Sequence, residues 1–592
     1  MSSSSLLHKA SQFRAGNIRF YGPEWANITQ DRYILDIVHH GLKLNFVSDP
    51  PGKNPFEYPR STKETEIIDS EIHKLIKKQV VSKTTAIEGD YFSNLFTTPK
   101  KDGSYRTILN LKHLNKECET YHFKMETLKQ AIHLIRPGTY LASIDIKDAF
   151  YSIPIHRNHK RYLKFVWKGI PYQFNAMPNG YVDAMRIFGK ILKPVFAYLR
   201  EQGYVSVIYV DDTLLSGDSY QECLENVQAT LKLLQDLGFV IHPIKSVLIP
   251  TQCITFLGFI FDTINMSITL TEEKKVKIRN MAKHLLDTKE ITIRMLYKFL
   301  GNLTASFDGV SQGQLHYRHI EFDRNYSFKY CGGDMDKKLN KYDVLSSEAI
   351  TEIRWWYDNI MTSNAKIKSI PAIDYIINTD ASNEGWGASD GTNPDINGRW
   401  FLHEKENHIN VLELTAIKFA IEAYLPLRES TLFSDNTTAI SYINKKGGTK
   451  CMVLNDLAFH IWQFCINYNA HLSAAHIPGA HNLLADIASR QFQDSAEWAL
   501  PQHVFQNIIS RFGKPDIDLF ASRLNHKLPC YASWKPDPES SIIDAMSVSC
   551  SNRFIYMFLP FSMMWPVLTK IKEDQVNRAI IIMPRWSTQF WY

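Results

Sequence analysis

Two adjacent carboxylates, Asp211 and Asp212, lie between two apolar runs of the sequence. Residues 205–208 precede the pair and residues 214–215 follow it, a pattern that predicts a β-hairpin with both acids at its tip. Turns favour Asp because its side chain accepts local hydrogen bonds, so the pair alone is weak support for chemistry. Carboxylates grouped at such a tip can, however, meet a divalent cation.

A third acid, Asp145, closes an upstream apolar segment at residues 141–144 that predicts a strand. Three carboxylates on two neighbouring strands can hold two Mg²⁺ ions, with Mn²⁺ as an alternative. One ion would activate a 3′-hydroxyl, and the other would neutralise the triphosphate of an incoming nucleotide. The acids therefore predict a template-directed nucleotide polymerase.

Residues 94–109 alternate between polar and apolar positions and turn at Asp102 and Gly103, which predicts a second hairpin. This hairpin carries Lys100 and Arg106. Arginine could clamp a triphosphate through a bidentate fork and lysine as a point charge. A Lys-Lys-Asp-Gly sequence is also an ordinary hairpin tip, so this motif by itself identifies nothing.

Two helices are predicted beyond the acid pair. Residues 219–237 begin with a capping Ser219 and end before Gly238. Residues 271–286 carry two acids in the first turn and then several basic residues. This basic helix either grips a duplex backbone or is a solvated charged face, and the sequence favours neither.

Four further acids form a second set: Asp380 ends a strand, Glu413 lies in an apolar-periodic helix, Asp435 follows another strand and Asp486 closes residues 476–486. A glutamate on the buried side of a helix is costly unless it is liganded. The four acids together predict a second metal site.

Length and composition limit the class of protein. At 592 residues the chain exceeds one hydrophobic core and predicts three or more domains. The 67 basic and 61 acidic residues give a net charge of +6, which permits a polyanionic partner without requiring one. Eight cysteines with no Cys-x-x-Cys pair argue against structural zinc and a disulfide framework. We expect no signal peptide, no membrane span and an intracellular location in the cytoplasm, the nucleus or both.

The order of the motifs resembles that of the reverse transcriptases of retroviruses and LTR-type retrotransposons. The resemblance rests on Lys100 with Arg106, residues 110–115, Asp145 with Phe150, residues 177–180, residues 209–212, Lys245 with Ser246, and residues 256–258. It implies that Asp145, Asp211 and Asp212 form the metal-binding catalytic triad. It further implies that Lys245 protonates the departing pyrophosphate as a general acid.

The same resemblance implies the nucleotide and primer contacts. Phe150 matches an aromatic ring that collides with a ribose 2′-hydroxyl and so selects deoxynucleotides. The other implied contacts are Lys100, Arg106, Asn179 and Tyr209 for the nucleotide, and Leu257 with Gly258 for the primer grip. Asn179 departs from many relatives, which carry Gln there.

The second acid set, Asp380, Glu413, Asp435 and Asp486, resembles the Asp-Glu-Asp-Asp set of ribonuclease H. That enzyme binds two Mg²⁺ and hydrolyses the RNA strand of an RNA/DNA hybrid through activated water. His481 lies where some members place a catalytic histidine, but the loop is shorter here and we assign it no role. We expect Ser382 to be a turn residue.

Residues 516–592 predict half of a doubly wound sheet. This segment comes directly after the second acid set. In that position it resembles the methyltransferase-like domain of DIRS-like retrotransposons, which integrate through a tyrosine recombinase. Leu559, Pro560 and Phe561 stand where adenine methyltransferases carry an Asp-Pro-Pro-Tyr type motif, so the acid is missing. We expect a structural or nucleic-acid-binding role and not methyl transfer.

We therefore expect a multidomain α/β and α+β protein: a right-hand polymerase with palm, fingers and thumb, a ribonuclease H-like α/β domain, and a small Rossmann-like C-terminal domain. The expected boundaries are 1–80 for an entry segment, 81–262 for fingers and palm, 263–330 for the thumb, 331–372 for a connection, 373–490 for the ribonuclease H-like domain, and 491–592 for the methyltransferase-like domain, incomplete or inactive.

The predicted function is an RNA-directed DNA polymerase with ribonuclease H activity. Its expected partners are an RNA template, a DNA primer, the RNA/DNA hybrid and dNTPs, with an element-encoded recombinase as a further candidate. An RNA-dependent RNA polymerase is an alternative, against which Phe150 and the second acid set argue. The other alternative is a decayed or domesticated copy that binds nucleic acid without catalysis, and the presence of both acid sets counts against it.

Overall fold

Helices and strands alternate along the chain in a computed structural model that describes residues 13–100, 103–332, 334–342, 344–367, 376–391, 395–424, 430–434, 436–492 and 498–585. Contacts between Cα atoms divide the chain into two units. The first unit comprises Met1–Lys275, Asp308–Val310 and Ser363–Ser369. The second comprises Val276–Phe307, Ser311–Thr362 and Ile370–Tyr592.

The described residues of the first unit form seven α-helices and the beginning of an eighth. They are α1 (Gly22–Ile28), α2 (Arg32–His40), α3 (Thr62–Lys77), α4 (Leu114–Glu117), α5 (Leu128–Leu134), α6 (Ala184–Glu201), α7 (Tyr220–Asp236) and α8 (Glu272–Asp287), which crosses into the second unit.

The strands of the first unit form four sheets among its described residues. They are β1 (Val81–Lys83), β2 (Leu95–Pro99), β3 (Tyr105–Leu109), β4 (Tyr140–Asp145), β5 (Lys164–Trp167), β6 (Ile170–Phe174), β7 (Val205–Tyr209), β8 (Asp212–Gly217), β9 (Val247–Thr251), β10 (Cys253–Phe256), β11 (Phe259–Asp262), β12 (Ser267–Leu270) and β13 (Ala365–Lys366). The sheet orders are β7-β8-β4-β9, β1-β6-β5, β2-β3 and β10-β11-β12-β13. The predicted mixed α/β content is confirmed.

The four-stranded sheet β7-β8-β4-β9 rests on helices because one face of it is apolar. Ala142 and Ile144 of β4 belong to one buried cluster with residues of α6 and α7. Val227 and Leu231 supply the buried stripe of α7 at helical spacing. The packing fixes the sheet, and with it the strand ends at which Asp145, Asp211 and Asp212, the first acid set, lie.

The helix α7 begins with a complete capping box. The side chain of Ser219 accepts a hydrogen bond from the Glu222 amide at 3.2 Å, and the Glu222 carboxylate accepts one from the Ser219 amide at 3.2 Å. Two backbone donors that the helix leaves open are thereby satisfied. Gly238 follows the helix at a φ of 87°, so both predicted ends of this helix are confirmed.

Replacing the capping hydroxyl tests this assignment. We expect Ser219→Ala to lower the opening free energy of α7 by about 1 kcal/mol, because the Glu222 amide loses its acceptor. Amide hydrogen exchange along Tyr220–Asp236 measures that free energy, and Ser219→Thr, which keeps a hydroxyl, is the matched control. Unchanged exchange in the alanine variant would contradict the role of the cap.

The second unit contains the remaining helices and strands. The helices are α9 (Ile293–Thr304), α10 (Arg318–Tyr330), α11 (Met335–Leu339), α12 (Ser347–Asn359), α13 (Leu402–Lys405), α14 (Ile409–Tyr424), α15 (Thr437–Asn444), α16 (Met452–Asn467), α17 (Leu483–Arg490), α18 (Gln502–Phe512) and α19 (Met564–Glu573). The strands are β14 (Ile376–Ala381), β15 (Gly385–Ser389), β16 (Ile396–Arg399), β17 (Ser430–Ser434), β18 (Leu472–His476), β19 (Ile517–Leu519), β20 (Tyr531–Ser533), β21 (Ile542–Ile543), β22 (Phe554–Phe558) and β23 (Arg578–Ile582).

These strands form two five-stranded sheets that define two domains. In the mixed-sheet domain, described over 376–391, 395–424, 430–434 and 436–492, the order is β16-β15-β14-β17-β18. Its first three strands are antiparallel, whereas β14, β17 and β18 run parallel. In the parallel-sheet domain, residues 498–585, the order is β21-β20-β19-β22-β23 and every pairing is parallel.

Within the described ranges, no helix combines the length and the apolar character needed to cross a bilayer.

Candidate active sites

The predicted hairpin with two acids at its tip is confirmed. Strand β7 ends at Tyr209 and β8 begins at Asp212, and these two residues pair directly. The turn therefore consists of Val210 and Asp211. Val210 has a φ of 57°, a strained conformation for a β-branched residue. The strained residue therefore lies directly before Asp211 and Asp212.

Asp145 lies at the end of β4, as the sequence predicts. It is the cross-strand partner of Asp212, so the antiparallel register brings the first acid set together. The Asp145 amide donates to the Ser246 hydroxyl at 3.0 Å, and the His242 amide donates to the Asp145 carbonyl at 2.8 Å. These bonds fix the backbone of a residue that is 8 % exposed.

The first acid set is electrostatically crowded. Burial, together with the charges of Asp211 and Asp145, raises the pKa of Asp212 to about 6. Burial and the charge of Asp145 likewise raise the pKa of Asp211. The ammonium of Lys245 lies 3.5 Å from the Asp145 carboxylate and opposes this repulsion. A cation between the carboxylates would lower the same repulsion.

The first acid set is not closely clustered. Among the described residues, no three or more His, Cys, Asp or Glu side chains are gathered closely enough to hold a metal ion. The first acid set supplies the hard oxygen donors that Mg²⁺ prefers, but their side chains lie in a looser arrangement.

A cavity of about 570 Å³ opens in front of the first acid set. All of the predicted nucleotide-contacting residues and the candidate general acid line it: Lys100, Arg106, Phe150, Asn179, Tyr209 and Lys245. The structure thus brings together acids and cations that are far apart in the sequence. A pocket with carboxylates on one side and basic side chains on another can accommodate a metal-bound polyphosphate.

Phe150 occupies one wall of this cavity. Its ring makes an edge contact with Phe188 of α6, at 5.7 Å between centroids. Asp148, two residues earlier, adopts a left-handed φ of 52°. The contact with Phe188 favours a position of the Phe150 ring at the cavity wall.

The sequence analysis missed several cavity residues. Lys78, at the end of α3, forms an ion pair of 2.6 Å with Asp148. The hydroxyl of Tyr151 accepts a hydrogen bond from the Asn179 amide at 3.0 Å, and burial raises the pKa of Tyr151. Lys74 also lines the cavity. The four-residue spacing of Lys74 and Lys78 was the signal that could have indicated a basic face on this helix.

The predicted primer-grip residues form a tight turn outside this cavity. Leu257 and Gly258 connect β10 to β11 with φ values of 51° and 77°. Lys274 of α8 donates to the Leu257 carbonyl at 3.0 Å and lies 4.6 Å from the Phe259 ring centroid. This lysine of the basic helix is therefore engaged with protein, whereas both interpretations of the rest of the helix stay open.

The second acid set is built on the mixed-sheet domain. Asp380 lies in β14 and is 5 % exposed, Glu413 lies in α14 and is 5 % exposed, and Asp486 lies in α17. Asp435, which would follow β17, lies outside the described residues. The structure therefore positions three of the four predicted acids.

Helix α17 is attached closely to the strand that carries Asp380. The Ser489 hydroxyl donates to the Asp380 carboxylate at 2.6 Å. Asn482, before the helix, donates to the Thr379 carbonyl at 2.9 Å. A Cβ on Gly387 would lie 2.5 Å from the Ser489 amide nitrogen, so this close approach requires glycine.

Ser382 is a turn residue, as predicted. Its hydroxyl accepts hydrogen bonds from the Glu384 and Gly385 amides at 3.1 Å each. The hydroxyl also lies 2.6 Å from the Ser489 carbonyl, to which it can donate. Sequence spacing does not reveal this second contact, which again joins the strand to α17.

The parallel-sheet domain shows no comparable acid set. Asp518 of β19 is buried, and burial raises its pKa to about 7. Its carboxylate accepts a hydrogen bond from the Lys527 amide at 2.7 Å. Residues 559–561 follow β22, at the position where the sequence analysis noted a missing acid.

Part of the chain is similar to known proteins. Residues 98–303 match the family model described as "Reverse transcriptase (RNA-dependent DNA polymerase)". The enzymatic polyprotein of cauliflower mosaic virus (strain Strasbourg) is 24 % identical over 473 residues, which cover 76 % of this chain and 64 % of the viral protein. The Pro-Pol polyprotein of simian foamy virus type 3 (strain LK3) is 26 % identical over 284 residues, covering 48 % of this chain and 23 % of that polyprotein. The chain thus spans less than two thirds of these relatives.

Solved structures also align with the chain. The foamy viral protease-reverse transcriptase in complex with dsDNA gives a TM-score of 0.48 at 16 % identity, covering 80 % of this chain and 99 % of that one. The same viral protein in complex with RNA/DNA hybrid gives a TM-score of 0.47 at 15 % identity, covering 84 % and 67 %.

Proposed function

We propose that the chain, whose residues 98–303 match the reverse transcriptase family model and which is similar to viral polyproteins, is an RNA-directed DNA polymerase with ribonuclease H activity. The observation that carries the polymerase is the first acid set, which lies at paired strand ends and faces a cavity lined by cations. The proposed substrates are dNTPs, a DNA primer and an RNA template.

The first acid set is the proposed Mg²⁺ site. Asp145, Asp211 and Asp212 supply hard oxygen donors, and the raised pKa values of Asp211 and Asp212 express a repulsion that a cation would relieve. When bound there, Mg²⁺ would neutralise the triphosphate and favour ionisation of the primer 3′-hydroxyl. The rest of the site acts by positioning its reactants.

The side chains predicted from the sequence each have a proposed role. Lys100 and Arg106 bind the triphosphate, and Lys245 delivers a proton to the departing pyrophosphate. Tyr209 and Asn179 contact the nucleotide. Asn179 is oriented by its bond to the Tyr151 hydroxyl, so that its remaining polar atoms are available to a ligand. Leu257 and Gly258 are proposed to contact the primer.

Phe150 is proposed to exclude ribonucleotides, which gives a direct test. We expect Phe150→Ala to lower the preference for dNTPs over rNTPs by about 100-fold, because removal of the ring admits the 2′-hydroxyl. Single-nucleotide incorporation with dNTP and rNTP measures the ratio of kcat/KM values. Phe20→Ala, at an exposed ring that does not line the cavity, is the matched control. An unchanged ratio for Phe150→Ala would refute its role as a gate.

The mixed-sheet domain is the proposed ribonuclease H. Asp380, Glu413, Asp435 and Asp486 are its proposed ligands for two Mg²⁺ ions, and the RNA strand of the hybrid is its substrate. Support comes from the burial of Asp380 and Glu413 and from the bond that ties Ser489 to Asp380.

The subtype of retroelement is also a proposal. The parallel-sheet domain after the mixed-sheet domain supports a DIRS-like element that integrates through a tyrosine recombinase. Its strands run outward from β19 through β20 to β21 on one side and through β22 to β23 on the other, which is the order expected of a Rossmann-like sheet. Because residues 559–561 lack an acid, we assign this domain no methyl transfer.

The polymerase proposal is tested by primer extension. We expect the full chain to extend a labelled DNA primer on an RNA template when Mg²⁺ and dNTPs are supplied. Omission of Mg²⁺ should stop the reaction, and Mn²⁺ should restore part of it. Absence of extension on both RNA and DNA templates, by protein that still binds primer-template, would contradict the proposal and favour a nucleic-acid-binding relic.

A further inference from the structure

A buried arginine joins the parallel-sheet domain to the mixed-sheet domain. The Arg523 guanidinium donates to both oxygens of Glu404, at 3.0 Å each, and to the Arg399 carbonyl at 3.1 Å. Arg523 is only 4 % exposed. A bidentate pair of this kind is directional, and removing one member leaves a buried charge without compensation.

Aromatic rings of the mixed-sheet domain enclose the same guanidinium. Its central carbon lies 4.4 Å from the Phe401 ring centroid and 4.5 Å from that of Phe419. Phe419 belongs to α14, the helix that also carries Glu413. The parallel-sheet domain therefore contacts one of the elements that hold the second acid set.

A second contact leads to another of those elements. The Lys535 ammonium donates to the Asn397 side-chain oxygen at 2.8 Å. The amide nitrogen of the same Asn397 donates to the Ala488 and Gln491 carbonyls, at 3.0 and 2.7 Å. Asn397 lies in β16, whereas the two carbonyls lie at the end of α17. Lys535 thus fixes the orientation of the side chain that holds the end of this helix.

The end of α17 is where this helix contacts the second acid set. Ser489 donates to the Asp380 carboxylate, and Asp486 lies one turn earlier on the same helix. Displacement of residues 488–491 would therefore move the Ser489 hydroxyl, which donates to Asp380. It would also disturb the helical turn that carries Asp486. Partners that orient metal ligands in this way commonly affect activity without touching the substrate.

We propose that the parallel-sheet domain is a positioning element of the second acid site, acting through Arg523 on α14 and through Lys535 and Asn397 on α17. This proposal rests on the ribonuclease H activity proposed above. Arg523 and Lys535 are positioning residues, because they reach the acids only through other groups. The domain thereby has a function that does not require methyl transfer.

The test uses the full chain with Lys535→Met, which removes the donor and keeps most of the apolar stem. The matched control is Lys570→Met, because Lys570 forms a 2.9 Å ion pair with Asp574 inside the parallel-sheet domain. Each protein is assayed for cleavage of an RNA/DNA hybrid across a range of Mg²⁺ concentrations and for primer extension. Amide exchange of residues 486–491 is measured on the same samples.

We expect Lys535→Met to lower the rate of hybrid cleavage about tenfold and to raise the Mg²⁺ concentration for half-maximal cleavage, with extension unchanged. Exchange of the 488–491 amides should accelerate about fivefold, as expected when one hydrogen bond is lost. Lys570→Met should resemble the wild type in all of these measurements. Arg523→Lys should lie between wild type and Arg523→Met, because lysine keeps the charge and loses the fork.

Two different failures can be distinguished. If the wild type cleaves the hybrid and Lys535→Met matches Lys570→Met in cleavage, Mg²⁺ dependence and exchange, the positioning proposal is overturned. If the wild type does not cleave the hybrid, the ribonuclease H proposal fails. In that case the exchange of residues 486–491 still decides whether the parallel-sheet domain holds α17.

Discussion

Asp211→Asn should lower dNTP incorporation by about 1,000-fold or more while hybrid cleavage stays at the wild-type rate. The substitution is nearly isosteric, but it removes one anion from the turn that presents the first acid set, and charge stabilisation by a metal is worth several kcal/mol. Incorporation is measured by single-turnover primer extension at saturating primer-template, with hybrid cleavage measured on the same preparation.

The matched control for Asp211→Asn is Asp218→Asn. Asp218 follows β8 at its other end, is exposed, and pairs with Arg136 at 3.3 Å on the surface. A surface pair of this kind contributes little, so extension should be unaffected. Equal loss of extension and cleavage in Asp211→Asn would undercut the assignment of two separate active sites.

Glu413→Gln should have the opposite selectivity: hybrid cleavage falls by about 1,000-fold or more and primer extension is retained. Glu413 is buried in α14, and glutamine preserves its volume, so the helix should keep its packing. Cleavage of a preformed RNA/DNA hybrid with labelled RNA measures the first effect, and extension on a DNA template measures the second.

Glu406→Gln is the control for this second variant, because Glu406 is exposed in the segment just before α14. It should behave as wild type in both assays. If Glu413→Gln cleaves the hybrid normally, the second acid set does not form a hydrolytic site. If it loses extension as well, the two reactions are not carried by separate acid sets.

The sequence predicts the hairpin and the strand that carry Asp145, Asp211 and Asp212 because the signals for both are local. The apolar runs around Asp211 and Asp212 dictate the hairpin, and the strand ending at Asp145 is equally short-range. The register that pairs Asp145 with Asp212 follows from burial of one sheet face. The positive φ of Val210 was not predicted, because valine ordinarily avoids that conformation.

Contacts between residues far apart in the chain were not predicted from the sequence. Lys78 and Asp148 are 70 residues apart, and Ser489 and Asp380 are 109 residues apart. Nothing in the composition of either segment indicates the pairing, since a lysine at a helix end and a serine within a helix are both ordinary. The Arg523 contacts, which join two domains, belong to the same class.

Following the DNA primer and the RNA template in one reaction most directly tests the claim that the chain both polymerises DNA and cleaves RNA. The full chain is mixed with Mg²⁺, dNTPs and a primer-template in which the DNA primer and the RNA template carry different labels. We predict that the primer lengthens and the RNA is shortened in the same tube, that Asp211→Asn loses only the lengthening, and that Glu413→Gln loses only the shortening. Tight binding of the primer-template with neither label changing would contradict it and would favour a protein that binds nucleic acid without catalysis.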